Sequence, residues 1–361
     1  MNVSFSDLGV RPDLVARLHT QGITSPFPIQ LATLPEALAG RDVCGRAPTG
    51  SGKTLAFGLA VVTRTVGSKP GHPGALVLVP TRELASQVQR ELSMLSGDGR
   101  RVIAVYGGTG YGATRHALAR GVDTVVACPG RLEDLVAQGA IKLGSVRTVV
   151  VDEADRMADM GFLPSVRRLL DLTAPDRQVM LFSATMGPEI ETLVHRYQTD
   201  PARHDVVDEG PDASDVSHLF WRVPRQERVP VTAGLVREHG RVLVFCRTRR
   251  GADRVTKQLN TDGVKALAIH GGKTQAQRER ALAAFDDGKA GALVATDVAA
   301  RGIHVEDMPC VVHFDLPADH TDYMHRSGRT GRAGKAGVVV SLVTDEEVSA
   351  SRTLQRSLGF E

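Results

Sequence analysis

Three short segments hold the side chains best suited to chemistry. The first is Ala47-Pro48-Thr49-Gly50-Ser51-Gly52-Lys53-Thr54, between an apolar run near 42–46 and a helical stretch. A glycine-rich turn entering a helix points backbone N–H groups at an anion, and the helix dipole adds to the attraction. Thr49, Gly50 and Gly52 would form the cradle, Lys53 would reach the β/γ-phosphates of a nucleotide, and the Thr54 hydroxyl suits Mg²⁺. Ala47 stands where such loops generally have Gly, and a glycine-rich turn without a ligand would look the same in isolation. The second segment, Val149-Val150-Val151-Asp152-Glu153, is an apolar run ending in two carboxylates. At the C-terminal edge of a parallel sheet, where phosphate ligands bind, Asp152 would hold Mg²⁺ directly or through water. Glu153 would orient and deprotonate an attacking water. Adjacent acids are by themselves more often an exposed charged turn, and it is the earlier Lys53-Thr54 pair that gives them a purpose. The third segment is His325-Arg326-Ser327-Gly328-Arg329-Thr330-Gly331-Arg332. A helix start here would present the Arg329 and Arg332 guanidiniums together. Such arginines stabilise charge on a γ-phosphoryl group in flight and are worth about 10³–10⁵ in rate. A solvated basic turn is the plain alternative.

Side chains this far apart in sequence need elements that bring them together. Short β-branched runs alternate with longer helical stretches along the whole chain. Strands are expected near 42–46, 75–80, 102–106, 124–128, 148–152 and 179–183, then near 219–223, 241–246, 266–270, 292–295, 310–314 and 338–342. Continuous apolar strands separated by helices imply parallel sheets covered on both faces. The expected fold class is therefore α/β, as two tandem domains over 1–206 and 216–361. Between them, residues 207–215 (Val-Asp-Glu-Gly-Pro-Asp-Ala-Ser-Asp) are acidic, contain Gly-Pro and lack apolar periodicity, as a linker would. The first two chemical segments fall in one domain and the third in the other, so hydrolysis is expected to require closure. The chain ends soon after its last expected strand, with no accessory domain or basic tail anticipated.

At 361 residues the chain is too long for one ordinary core, which agrees with two domains. It is 42% hydrophobic and 24% charged, with a net charge of only +3. Residues 1–220 carry 22 Lys+Arg against 24 Asp+Glu, and 221–361 carry 22 against 17. The modest basic excess of the second half suits a local phosphate-binding surface without establishing one. Cys44, Cys128, Cys246 and Cys310 are scattered and form no C-x-x-C pair, which argues against a zinc site or disulfide framework. No apolar run suggests a signal peptide or a membrane span, so a cytoplasmic protein is expected.

Together these segments resemble the DEAD-box family of superfamily 2 RNA helicases, and the likeness covers almost the whole chain. Gly22-Ile23-Thr24-Ser25-Pro26-Phe27-Pro28-Ile29-Gln30 looks like the family's Q motif, with Phe5 at the expected upstream distance. The resemblance implies that Gln30 reads adenine and Phe5 packs near it. Pro80-Thr81-Arg82-Glu83-Leu84, Gly107-Gly108 and Cys128-Pro129-Gly130-Arg131 look like its RNA-binding motifs in the first domain. Ser183-Ala184-Thr185 matches the element that, with Asp155, links hydrolysis to strand separation. In the second domain, Arg247 within Val244–Thr248, Gln275 with Arg278, and Thr296 in the run Ala295–Gly302 match further RNA-contacting positions. Gly302 and His304 would contact nucleotide, and His325 joins the catalytic group. The resemblance implies tandem RecA-like domains and an ATP-dependent RNA helicase using ATP and Mg²⁺. It also implies a monomer, with protein partners supplying any targeting. Binding through Thr, Gly and Arg groups at strand ends would engage the RNA backbone largely without regard to sequence.

Four positions depart from the family pattern: His304 in place of Asp, Cys128 in place of Thr, Phe27 in place of a small Thr or Ser, and Gly272 where Asp often follows His-Gly. None touches Lys53, Asp152, Glu153, Arg329 or Arg332. His304 and Cys128 raise a second reading, an ATP-dependent RNA clamp with little unwinding activity. A third, a DNA helicase or translocase, is opposed by the Q motif and the Asp152-Glu153-Ala154-Asp155 run.

Overall fold

The computed structural model describes residues 3–48, 50–65, 67–97, 101–206, 216–300, 305, 308–331 and 336–360. The chain divides into two compact units, Met1–Asp208 and Glu209–Glu361. The expected linker, 207–215, lies outside the described residues, as do Thr49, Gly302, His304 and Arg332.

The first unit is built on a seven-stranded sheet in the spatial order 3-4-2-5-6-1-7. Its strands are β1 (Val43–Arg46), β2 (Ala75–Leu78), β3 (Val102–Val105), β4 (Thr124–Ala127), β5 (Thr148–Val151), β6 (Gln178–Ser183) and β7 (Ala202–Asp205). All pair in parallel. The helices are α1 (Pro12–Thr20), α2 (Pro28–Ala39), α3 (Lys53–Arg64), α4 (Arg82–Ser96), α5 (Tyr111–Ala119), α6 (Pro129–Ala137), α7 (Ala154–Asp159), α8 (Leu163–Asp171) and α9 (Pro188–Tyr197). Period-two alternation divides each central strand between two cores. Val77, Val126, Val150 and Met180 join one buried cluster with residues of α1 to α4. Leu76, Leu78, Val149, Val151 and Leu181 join another with residues of α6 to α9. A strand buried on both faces has no polar side, which is why these runs read as continuously apolar.

Strand β7 has no such signal. Ala202-Arg203-His204-Asp205 is mostly polar because it pairs with β1 at the sheet's edge, with Val43 opposite Ala202. Apolar periodicity does not mark it for that reason. The other strands fall within a few residues of their expected places, the largest difference being a strand that starts at Val216 rather than 219.

The second unit has a six-stranded parallel sheet in the order 10-11-9-12-13-8. Its strands are β8 (Val216–Arg222), β9 (Val242–Phe245), β10 (Ala266–Ile269), β11 (Ala292–Ala295), β12 (Cys310–His313) and β13 (Gly337–Val343). Its helices are α10 (Arg228–His239), α11 (Arg249–Thr261), α12 (Gln275–Asp286), α13 (Asp297–Ala300), α14 (His320–Ser327) and α15 (Val348–Leu358). Val242, Val244 and Val312 face a cluster shared with α10 and α11, while Leu243, Phe245 and Val311 face Phe285, Tyr323 and Leu354. Among the described residues no helix is long and apolar enough to cross a membrane.

Candidate active site

In parallel sheets ligands gather beyond the carboxyl ends of the strands. The strand order of the first unit sorts its candidate residues along that edge. The loop after β1, Asp152 after β5 and Ser183 at the end of β6 share one side, because β6 pairs with both β1 and β5. Thr81 after β2, Gly108 after β3 and Cys128 after β4 share the other, because β4 lies between β2 and β3. One edge thus carries a phosphate-type half and a basic half.

The phosphate half begins at Gly50 and Gly52, whose φ values of 85° and 86° are left-handed and favour glycine. Gly52 is the N-cap of α3, and a Cβ there would lie 2.4 Å from Gln30 Nε2 and 2.7 Å from the Phe27 ring. Lys53 is buried, and its Nζ donates to the carbonyls of Ala47 (2.8 Å) and Pro48 (3.0 Å). Those bonds fold the ammonium into the loop it would share with a phosphate. Thr54 follows, half-buried.

Asp152 and Glu153 are both buried, at 3% and 8% exposure, so the exposed-turn alternative does not hold. Burial pushes the Asp152 carboxyl up from an ordinary 3.8 to about 7, with Lys53 opposing the rise and Glu153 adding to it. A carboxyl whose charge is disfavoured by burial fits a position that a cation would occupy. Among the described residues no cluster of three or more His, Cys, Asp or Glu could hold a metal ion. A Mg²⁺ ion held at Asp152 and Thr54 would need its remaining ligands from phosphate and water.

Glu153 adopts φ 50°, a left-handed conformation costing a non-glycine residue about 1–2 kcal/mol. Three contacts hold it: its N–H donates to Asp152 Oδ1 (2.9 Å), its carbonyl accepts from Met157 N–H (3.0 Å), and its Oε2 accepts from Arg156 Nη1 (2.6 Å). Sequence reasoning missed the Arg156 pair. Its spacing, i to i+3 across the start of α7, is the signal that could have found it. Asp155 ties this helix to β6. Its Oδ2 accepts from Ala184 N–H (3.1 Å), Thr185 N–H (2.9 Å) and Thr185 Oγ1 (3.2 Å), and its N–H donates to Ser183 Oγ (3.1 Å).

Gln30 lies at the third position of α2. Its Oε1 accepts from Phe27 N–H and its Nε2 donates to the Gly52 carbonyl, both at 2.9 Å. One amide hydrogen and one lone pair are left for a ligand. That pattern complements the N7 acceptor and N6 donor of adenine. Phe5 shares a buried cluster with Ile29 and is 1% exposed, so its ring supports this segment from the core rather than offering a face.

In the basic half, Thr81 caps α4 by accepting from Leu84 N–H (3.3 Å). The Arg82 guanidinium lies against Gly108, where a Cβ would be 2.3 Å from Nη1. Arg131 donates to the Thr109 carbonyl (2.9 Å) and stacks on Tyr111, 4.1 Å from the ring centroid. Burial, with Glu83 nearby, pushes the Cys128 thiol up to about 12, so it is a neutral group here.

In the second unit, Arg247 follows β9, Gln275 and Arg278 lie in the first turn of α12, and Thr296 follows the end of β11. Arg247 N–H donates to Asp315 Oδ2 (2.8 Å), and Gln275 Nε2 donates to Glu279 (3.1 Å). His325 is in α14. Arg329 departs from the expected helix start: it sits in the turn beyond the end of α14, 5% exposed, with its carbonyl accepting from Met308 N–H (3.0 Å). Asp319 N-caps α14 by accepting from Asp322 N–H (2.8 Å), and this fixes the helix start upstream of the arginines. Arg326, to which the sequence assigns no role, is the structural member: it holds Asp297 through bonds of 2.6 and 2.8 Å and donates to the Asp315 carbonyl at 2.7 Å.

The raised Asp152 carboxyl carries a stability prediction. Between pH about 4 and 7 the unfolded chain has lost this proton while the folded one keeps it, so this group's contribution falls as pH rises and levels off above about 7. Asp152→Asn removes that decline. In EDTA without nucleotide the variant is expected to match wild type near pH 4 and exceed it at pH 8 by on the order of 4 kcal/mol, or roughly 8–16 °C in Tm. Thermal melts across pH would show the reverse if the carboxylate were stabilising.

Comparisons with known proteins agree with this layout. The family described as DEAD/DEAH box helicase matches residues 27–193, and that described as helicase conserved C-terminal domain matches 227–334. The chain is 42% identical over 362 residues to DEAD-box ATP-dependent RNA helicase 9 of Oryza sativa subsp. japonica, covering 98% of this chain and 57% of that one. It spans about half the length of the curated relatives it matches. Among solved structures, a DEAD box protein from the hyperthermophile Methanococcus jannaschii is 33% identical with a TM-score of 0.56, covering 99% of this chain and 98% of that one. Dbp5 of S. cerevisiae bound to RNA and ADP BeF3 is 26% identical with a TM-score of 0.84, covering 99% and 93%. With paired RecA-like folds, both family matches and near-full-length identity of this order, the chain belongs to the DEAD-box helicase family.

Proposed function

We propose that this protein is an RNA-stimulated ATPase that separates short RNA duplexes or remodels RNA–protein complexes. The observation that carries the reading is the convergence of buried Lys53, Asp152 and Glu153 on the edge that also carries Arg82, Gly108 and Arg131. Lys53 exchanges its two loop carbonyls for phosphate oxygens, Gln30 reads adenine, and Glu153 takes a proton from the attacking water. Mg²⁺, held at Asp152 and Thr54, supplies charge neutralisation for the phosphates. Arg329 and Arg332 stabilise the transferring phosphoryl group, as the family resemblance implies. Thr81, Arg247, Gln275, Arg278 and Thr296 add backbone contacts to RNA. The reading extends to a monomer in the cytoplasm, with partners selecting the RNA.

ATPase rates measured side by side with no nucleic acid, single-stranded RNA and single-stranded DNA test it. Stimulation by RNA alone is expected, and equal stimulation by DNA would overturn the RNA assignment. RNA held with an ATP analogue, but no strand separation on turnover, would identify a clamp.

Asp155 gives a sharper test of coupling. Asp155→Ala removes three charge-assisted acceptor contacts to Ala184 and Thr185 while leaving Lys53, Asp152 and Glu153 in place. Unwinding is expected to fall at least about tenfold relative to ATP hydrolysis, the worth of one such hydrogen bond. Equal losses in both assays would deny Asp155 a coupling role.

A further inference from the structure

Phe27 breaks a local rule without a structural return. It is the N-cap of α2, where Ser, Thr, Asp or Asn would accept a backbone hydrogen bond, and its side chain makes none. Its ring is 54% exposed, so burial does not offset the lost cap. Yet it is well placed. Its N–H fixes the Gln30 amide at 2.9 Å, and its ring edge lies against the Gly52 backbone, one residue before Lys53. Gln30 itself is 1% exposed, so a base reaches its free amide edge only after a surface side chain shifts. An exposed aromatic changes rotamer within nanoseconds at little cost.

We propose that Phe27 is a further base-binding residue of the nucleotide site: its ring swings from Gly52 and stacks on the base whose edge Gln30 reads. This rests on the ATP reading above and adds a second element to it, face recognition beside edge recognition. Stacking serves any base, so Phe27 sets how tightly a nucleotide binds and Gln30 sets which one.

The test is equilibrium binding of Mg²⁺–ADP and of Mg²⁺–tripolyphosphate to the full chain. Phe27→Thr supplies the missing cap and is expected to fold at least as well as wild type. Its ADP affinity is expected to fall about tenfold, within the range of base–aromatic stacking, with tripolyphosphate binding unchanged. Phe27→Trp is expected to keep ADP affinity and to lose fluorescence on adding ADP but not tripolyphosphate. Unchanged ADP affinity in Phe27→Thr, or equal losses for both ligands, overturns the stacking role while leaving the ATP reading intact. Failure of the wild-type protein to bind either ligand would instead remove the ATP reading, and this proposal with it.

Discussion

Glu153→Gln is expected to lower RNA-stimulated kcat by about 10²–10⁴, the span usual for loss of a positioned general base. KM for ATP and RNA affinity with an ATP analogue should change little. The structure explains why this substitution is clean. Arg156 donates to Oε2 at 2.6 Å, which leaves Oε1 as the atom that can face water. Glutamine keeps an oxygen for Arg156 and keeps the shape, so the left-handed turn at φ 50° still has its supports. Alanine would not be equivalent. It would leave the Arg156 guanidinium buried without its partner, which typically costs about 3–5 kcal/mol. The two variants therefore separate chemistry from folding: Glu153→Gln should melt near wild type and Glu153→Ala well below it. Wild-type turnover in Glu153→Gln would show that another group takes the proton.

Lys53→Ala is expected to lower kcat/KM for ATP by about 10²–10³, as for loss of one preorganised electrostatic donor. The loss has two origins. Phosphate loses its cation, and Asp152 loses the Lys53 charge that opposes its protonation. The residual activity should therefore shift toward higher pH, where Mg²⁺ meets less competition from a proton on Asp152. Lys53→Arg should not rescue it, because the planar guanidinium does not fit the geometry by which Nζ reaches the Ala47 and Pro48 carbonyls. Stopped-time ATPase assays over a pH series check both points. A uniform loss with no change in the pH profile would detach Lys53 from Asp152.

Much of the nucleotide half is legible in the amino-acid sequence. Gly50, Gly52 and Lys53 are read from spacing because the loop's job is local: a turn needing left-handed φ, followed at once by a helix. The fully buried strands are equally plain, since two covered faces leave no polar alternation. Legibility fails where a residue's environment comes from elsewhere in the chain. β7 is polar because it is an edge strand, and only pairing with β1 makes it a strand at all. Arg329 reads as part of a helix start because glycines and arginines alternate there. The true start is fixed upstream by Asp319, which accepts from Asp322 N–H. The family pattern sets Phe5 beside the base-reading segment, and packing places its ring in the core beneath it. Arg326 gives no functional signal in the sequence and Arg156 only its i to i+3 spacing from Glu153, yet both hold carboxylates of the candidate motifs.

The sequence by itself determined most of the elements, the edge strand β7 and the start of α14 excepted, and many of the residues that stand at their ends. Apolar periodicity, caps and left-handed glycines act over a few residues, so they are written locally. It did not determine that β6 would lie between β1 and β5, which brings Lys53 close enough to oppose the protonation of Asp152 across a separation of about a hundred residues. Nor did it determine the buried pairing of Glu153 with Arg156, the Asp155 link to Thr185, or the seat of Phe27 beside Gln30 and Gly52. Strand order and burial are set by long-range packing, where the free energy of covering both sheet faces is minimised over the whole unit. The tertiary structure therefore decided the electrostatics of the site, while the sequence supplied its parts.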